Sequence, residues 1–281
     1  MKIIGFADYY ISEWHADNYP AWIKQICEEK GLDFEFKYVW AELDKSPKDG
    51  ITTDEWCEKH GAIKCNSLKE LCEKCDHVFV LAPSDPQKHL EYASEVLKYR
   101  NNTYIDKTFA PDYATAKKIF DIASEYGTAF FSSSALRYAS ELDDLRNCNG
   151  VITYGGGSNL AEYVIHQAEM AVKVIDKKAK KVRVDKQGKN QYVCAVEFDE
   201  GKRATMLFDP SYGFGLCAEK ENGASVSRSV NSDFFKYLIA DILEFFTSGK
   251  LSFDTNQTLE VIRVREGVVK GMEKLGEWIE L

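Results

Sequence analysis

Apolar and polar positions follow two different rhythms along this chain, and the change comes near its middle. In the first half, Lys2–Ala7 and His77–Ala82 are short apolar runs, the second nearly continuous, as expected of parallel strands buried on both faces. Phe34–Val39 alternates apolar and polar residues, and Thr103–Ile105 and Ala129–Phe131 are strand-like too. Helical patterns fill the intervals. One covers Pro20–Glu29, with the proline expected in the first turn, where its missing N–H costs nothing. Another opens at the capping box Ser67-Leu-Lys-Glu70, a third runs from the box-like Ser84-Asp-Pro-Gln87 to about Tyr99, and a fourth covers Pro111–Tyr126. Strand and helix in turn predict a doubly wound parallel sheet, which binds ligands at the carboxyl ends of its strands.

The second half reads as strands at Val151–Tyr154, Lys181–Lys186, Tyr192–Phe198, Arg203–Phe208, Phe214–Glu219 and Ser225–Val230. Short turns such as Lys186-Gln-Gly-Lys189 indicate antiparallel pairing. Helices are expected at Glu162–Ile175, Ser232–Phe246 and Asn256–Leu275. The change of pattern divides the chain into residues 1–135 and 136–281, an α/β organisation in which a parallel-sheet domain precedes a mostly antiparallel one.

With 281 residues, both halves are long enough to bury a core. A net charge of −9 disfavours a general nucleic-acid binder, which would carry a basic face. The apolar runs all fall short of the roughly 18 residues of a membrane span. The opening Met1–Asp8 is too short and too soon acidic for a signal peptide, so a soluble, cytoplasmic chain is expected. Eight cysteines, including Cys57, Cys65, Cys72 and Cys75, are irregularly spaced and read as scattered reduced thiols, with no metal centre.

Four places could carry chemistry. In the first turn, Gly5-Phe-Ala7-Asp8-Tyr-Tyr10 stands where a dinucleotide fingerprint G-x-G-x-x-G would lie, with two of the three glycines replaced and an acid added; an ordinary strand end and an anion site both remain open. Glu42, after the second strand, is the candidate acid for a ribose. Lys107 follows a strand and falls at the sheet's carboxyl edge, where an ammonium favours an alkoxide; a surface lysine is the plain alternative. On the helix from Glu162, Val164, Ile165, Ala168, Ala171, Val172 and Ile175 form one apolar stripe. Glu162, His166 and Glu169 fall on the other side, so the imidazole is either a general base between carboxylates or part of a solvated face. Gly155-Gly-Gly157 ahead of that helix lacks the ending of a phosphate loop and reads as a bend bringing the strand close to the sheet domain.

Taken in order, these segments resemble the Gfo/Idh/MocA oxidoreductase family over most of the chain. Asp76-His-Val-Phe-Val-Leu-Ala-Pro83 followed by His89, then Ile105-Asp-Lys-Thr-Phe109 in place of a Glu-Lys-Pro motif, Arg137-Tyr138 after the sixth strand, Gly155 through Glu162-x-x-x-His166, and the closing helix and last strand of Thr258–Leu281 carry the likeness. The resemblance implies an N-terminal Rossmann domain and a C-terminal α/β domain with an open, mostly antiparallel sheet that often joins subunits, here as a homodimer or homotetramer. It implies NAD(P)-linked oxidation of a small sugar, polyol or related hydroxy compound. Lys107 would orient the nicotinamide and the substrate oxygen, His166 would take the hydroxyl proton, and Glu162 would hold a substrate hydroxyl or the imidazole. Gly5, Ala7, Asp8, Ala82, Pro83 and Ser84 would lie along NAD or NADP, while Arg137, with Trp14 and His15 from the unusual stretch Tyr9–Asn18, would meet the substrate. The imidazole and the ammonium are expected to meet across a crevice shared by the domains. The chain is short for the family, which predicts a trimmed substrate domain. The degraded fingerprint motivates a rival: a ligand-binding or scaffolding protein that kept the fold without a cofactor.

Overall fold

A computed structural model describes residues 1–281, which form two compact units: Met1–Ser132 with Leu238–Ser252, and Ser133–Tyr237 with Phe253–Leu281. In chain order the first contains β1 (Lys2–Asp8), α1 (Trp14–Lys30), β2 (Phe34–Ala41), α2 (Thr53–His60), β3 (Ile63–Lys64), α3 (Leu68–Lys74), β4 (His77–Val80), α4 (His89–Val96), β5 (Asn102–Ile105), α5 (Tyr113–Tyr126) and β6 (Phe130–Phe131). The second contains β7 (Gly150–Gly155), α6 (Leu160–Ile175), β8 (Ala179–Lys186), β9 (Tyr192–Phe198), β10 (Arg203–Phe208), β11 (Gly215–Glu219) and β12 (Ser225–Ser229). After α7 (Phe234–Ser248), it closes with α8 (Asn256–Met272) and β13 (Trp278–Glu280).

The first sheet is wholly parallel, in the order β3-β2-β1-β4-β5-β6. This is the doubly wound Rossmann order, and its direction reverses between β1 and β4. All of β4 is buried, as its continuous apolar run requires. From Leu238 onward α7 belongs to this unit, where Phe246 stacks on His77 at 4.3 Å and Phe245 meets Phe131 edge-on. Two expectations need correction. Helix α1 begins at Trp14, so Pro20 lies inside it; the Glu13 side chain caps the helix nearly two turns earlier than the proline suggested. The segment from Ser84 to Tyr99 is one α-helix flanked by two 3-10 turns, Pro86–Lys88 and Leu97–Tyr99, and the first has no side-chain cap.

The second sheet has seven strands in the order β12-β11-β7-β10-β9-β8-β13, antiparallel except for the β7–β10 pair. Alternation sorts its faces. Val151, Thr153, Ala204, Met206, Val182, Val184, Cys194 and Val196 are buried on the side of α6 and α8, which pack beneath the strands. The opposite face carries an in-register row of Cys217, Ile152, Thr205, Ala195, Arg183 and Trp278, all half-buried or exposed. Helix α6 is buried on more than the predicted stripe: Gln167 and Glu169 are also inside. Gln167 is satisfied there by the Thr153 hydroxyl at 3.0 Å and by the carbonyls of Gly155 and Leu207.

Candidate active site

The carboxyl edge of the first sheet, at the β1–β4 reversal, collects most of the predicted residues. Strand β1 ends in Asp8, which is 1% exposed. Its Oδ1 accepts from the backbone N–H of Tyr9 at 2.7 Å and of Ala82, just past β4, at 3.0 Å. Ala82 is held in the left-handed region at φ 55°, which a non-glycine residue adopts only when its surroundings impose it. No donor reaches Asp8 Oδ2. Burial, and then the negative charge of Glu13, push the Asp8 carboxyl well above the usual range, against the pull of those two amides.

Next along the chain, Glu13 caps α1. Its carboxylate accepts from the His15 N–H at 2.9 Å and the Ala16 N–H at 2.7 Å, and its Oε2 also lies 3.1 Å from His15 Nδ1. The other ring nitrogen, Nε2, lies 3.6 Å from Asp106 Oδ2, so the imidazole stands between two buried carboxylates. Asp106 in turn accepts from the Tyr104 hydroxyl at 2.9 Å. Trp14 is 44% exposed, edge-on to the His15 ring. Lys107 donates to the Pro83 carbonyl at 3.3 Å, and His89 braces the same loop by contacts to the carbonyls of Phe109 and Leu81. Pro83 is buried and Ser84 exposed. Glu42, just past β2, accepts from Lys88 and from the Tyr92 hydroxyl, each at 2.6 Å. Burial raises its carboxyl, but those bonds more than offset this and hold it below the ordinary value.

Two site readings change. Gly5 lies within β1, three residues before its end, whereas Ala7 directly precedes Asp8; Gly5 serves helix packing, because a Cβ there would come 2.5 Å from Cys75 Sγ and 2.8 Å from Leu71 Cδ1. Arg137 is turned inward, 4% exposed; its Nε pairs with buried Glu169, its Nη1 donates to Gln257 at 2.7 Å, and the guanidinium lies over the Phe253 ring. It therefore props the second unit's interior, which corrects its assignment to substrate.

In that second unit, His166 is half-buried, and its Nδ1 lies 2.7 Å from the Ser134 hydroxyl. Ser134 also donates its backbone N–H to Glu169 at 3.0 Å. Of the two predicted flanking carboxylates, Glu169 faces Arg137, and a hydroxyl lies against the imidazole. Glu162 sits in the first turn of α6, bonded to Ser158 and Asn159. The preceding glycines form a crowded bend: a Cβ on Gly156 would meet the Asp209 carbonyl at 2.2 Å, and one on Gly157 would meet the Tyr163 ring. Their partners are the end of β10 and the start of α6, within their own unit.

Sequence reading missed Glu13, Asp106 and Ser134. Glu13 immediately precedes the helix, which was the available signal, but glutamate is a less common cap than Ser, Thr, Asp or Asn. A nucleotide in this strand order normally seats its diphosphate on the free N–H groups opening the first helix. Those of His15 and Ala16 bond Glu13, and that of Ala82 bonds Asp8, so this turn as it stands suits the chain's own carboxylates and not an added diphosphate.

No family model matches the sequence, and no curated protein is detectably similar to it. Solved structures do match in fold. The myo-inositol dehydrogenase of Lactobacillus casei, in complex with NAD(H) and myo-inositol, superposes with a TM-score of 0.77 at 11% identity, covering 100% of this chain and 96% of that one. The aldose-aldose oxidoreductase of Caulobacter crescentus, complexed with glycerol, gives 0.73 at 13% identity and covers 100% of both chains. UDP-N-acetylglucosamine 3-dehydrogenase from Acidithiobacillus ferrooxidans gives 0.73 at 11% identity, covering 96% of this chain and 97% of that one. The fold is therefore that of these two-domain dehydrogenases, and coverage this high leaves no large block of the second domain trimmed relative to them.

Proposed function

We propose that the protein is an oxidoreductase that interconverts a hydroxyl and a carbonyl on a small sugar, polyol or related hydroxy compound, with NAD or NADP as redox partner. The observation that carries this reading is Lys107: on a fold shared with sugar and polyol dehydrogenases, it stands at the carboxyl edge of the parallel sheet beside the Pro83 carbonyl. There its ammonium hydrogen-bonds the substrate oxygen and stabilises charge developing on it. His166, steadied by Ser134, takes the hydroxyl proton, and Glu162 holds a neighbouring hydroxyl. Trp14 supplies an exposed ring suited to the apolar face of a sugar, with His15 next to it. All eight cysteines are free, which suits a reducing cytoplasm, and the uncovered face of the second sheet suits a homodimer or homotetramer.

The test is turnover of a panel of inositols, aldoses and linear polyols with each nucleotide, read as nicotinamide absorbance. Lys107→Ala and His166→Ala should each lower kcat/KM by about 10²–10⁴-fold. Near-normal rates in both would remove the assignment. A second reading, a cofactor-free ligand-binding protein, is favoured by the carboxylates in the β1–α1 turn. It predicts sugar binding by calorimetry with no turnover under either nucleotide.

A further inference from the structure

The turn after β1 is an anion seat by position and an acidic one by composition. Helix α1 has 17 residues and follows β1, and the backbone N–H groups of its first turn have no partner within the helix. A carboxylate already takes two of them, one on each oxygen: His15 N–H on Glu13 Oε2 and Ala16 N–H on Oε1. Glu13 is only 7% exposed, so it is docked in the turn and does not trail in solvent. On the opposite lip, the Ala82 N–H is taken by Asp8.

We propose that Glu13 is an internal competitor for a nucleotide's diphosphate, occupying with its own carboxylate the backbone donors that such a ligand needs. This rests on the reading that the first unit takes a nucleotide. An entering diphosphate would share the turn with two carboxylates unless Glu13 swings outward. The arrangement gives Glu13 reason to move: its negative charge opposes ionisation of buried Asp8, and Asp8 Oδ2, with no donor in reach, gains nothing from Glu13's presence. The nucleotide then binds only the fraction of molecules whose cap is open, and its apparent affinity falls by that fraction. Glu13 thereby sets nucleotide affinity without itself taking part in chemistry.

The experiment is calorimetric titration of the full-length protein with NADH, NADPH and ADP-ribose, the last carrying the diphosphate without the nicotinamide. Wild type is compared with Glu13→Asn and Glu13→Gln. Asparagine is among the best N-caps, so it keeps the helix end while removing the charge and shortening the reach. At least a tenfold tighter Kd for ADP-ribose in Glu13→Asn, with a smaller gain in the isosteric Glu13→Gln, is the expected result. If Glu13→Asn melts early, a gain in Glu13→Gln alone supports the proposal, and no gain there overturns it. Micromolar binding by wild type that neither variant improves by more than twofold overturns the competitor role and leaves the nucleotide reading standing. Absence of saturable binding in all three proteins overturns both.

Discussion

His77 illustrates how a single buried side chain links this fold to pH. It opens β4, is 5% exposed and lies flat against Phe246, with Phe34 on its edge. Burial, and next the positive charge of Lys2, lower its pKa to about 4, against the weaker opposing pull of Asp76 and the Asn102 backbone. The folded value lies below the unfolded one, so at neutral pH both states are uncharged and the residue contributes no pH dependence. Below pH about 6.5 the unfolded chain takes the proton and the folded chain does not, so stability falls as pH drops and the loss levels off below about 4. The full loss is up to about 3 kcal/mol. His77→Phe keeps the stack and removes the proton site. Its urea midpoint should therefore fall less than the wild type's between pH 7 and pH 4.5, and parallel slopes would exclude this linkage.

Among the elements, the β1–α3 contact shows why a glycine at the expected place carries a different meaning. Gly5 was legible as part of a degraded nucleotide fingerprint, yet α3 packs so closely on it that any Cβ collides with Cys75 Sγ and Leu71. Gly5→Ala should cost about 1–3 kcal/mol by overpacking. Adding Cys75→Ala, which removes the nearer clash, should recover part of it in chemical denaturation; strict additivity of the two changes would argue against the contact. The strands were legible because each is short, apolar or strictly alternating, and bounded by turn residues. Helix α2 and strand β3 were not read, although Thr52 and Glu55 form a complete capping box, because Thr53–His60 has few apolar residues and β3 is only two residues long. Helix α6 was placed within two residues, but periodicity alone could not tell that Glu169 is buried, since its ion partner Arg137 lies 32 positions away. Of the proposed site, Lys107 and His166 are the residues that local pattern singles out. The Glu13 cap and the Ser134–His166 bond depend on φ/ψ at a helix start and on long-range pairing, which the pattern does not encode.

For the molecule as a whole, the second sheet has helices on one face only. The opposite face presents Ile152, 44% exposed, between Cys217 and Thr205 in register, with Tyr154 and Leu207 paired on the next row and Trp278, 37% exposed, at the far edge. An isolated monomer scatters its exposed apolar side chains, whereas a continuous, flat, partly apolar sheet face is the form that a two-fold interface takes. Arg183 and Glu197 on the same face are already paired within the sheet, to Asp185 and to Lys181 and Arg203, so burying them would not strand an unpaired charge. Ile152→Glu places an unpaired carboxylate at the centre of that face while leaving the helix-packed side untouched. Burial of such a charge without a partner is strongly unfavourable, so on the proposed assembly the variant should shift to monomer in size-exclusion chromatography with light scattering, with its far-UV circular dichroism unchanged. The converse change at Lys202, exposed to a lesser degree beside the Asn147 carbonyl and off this row, should leave the assembly intact. A monomeric wild type, or an oligomer indifferent to Ile152→Glu, would place the subunit contact elsewhere or nowhere.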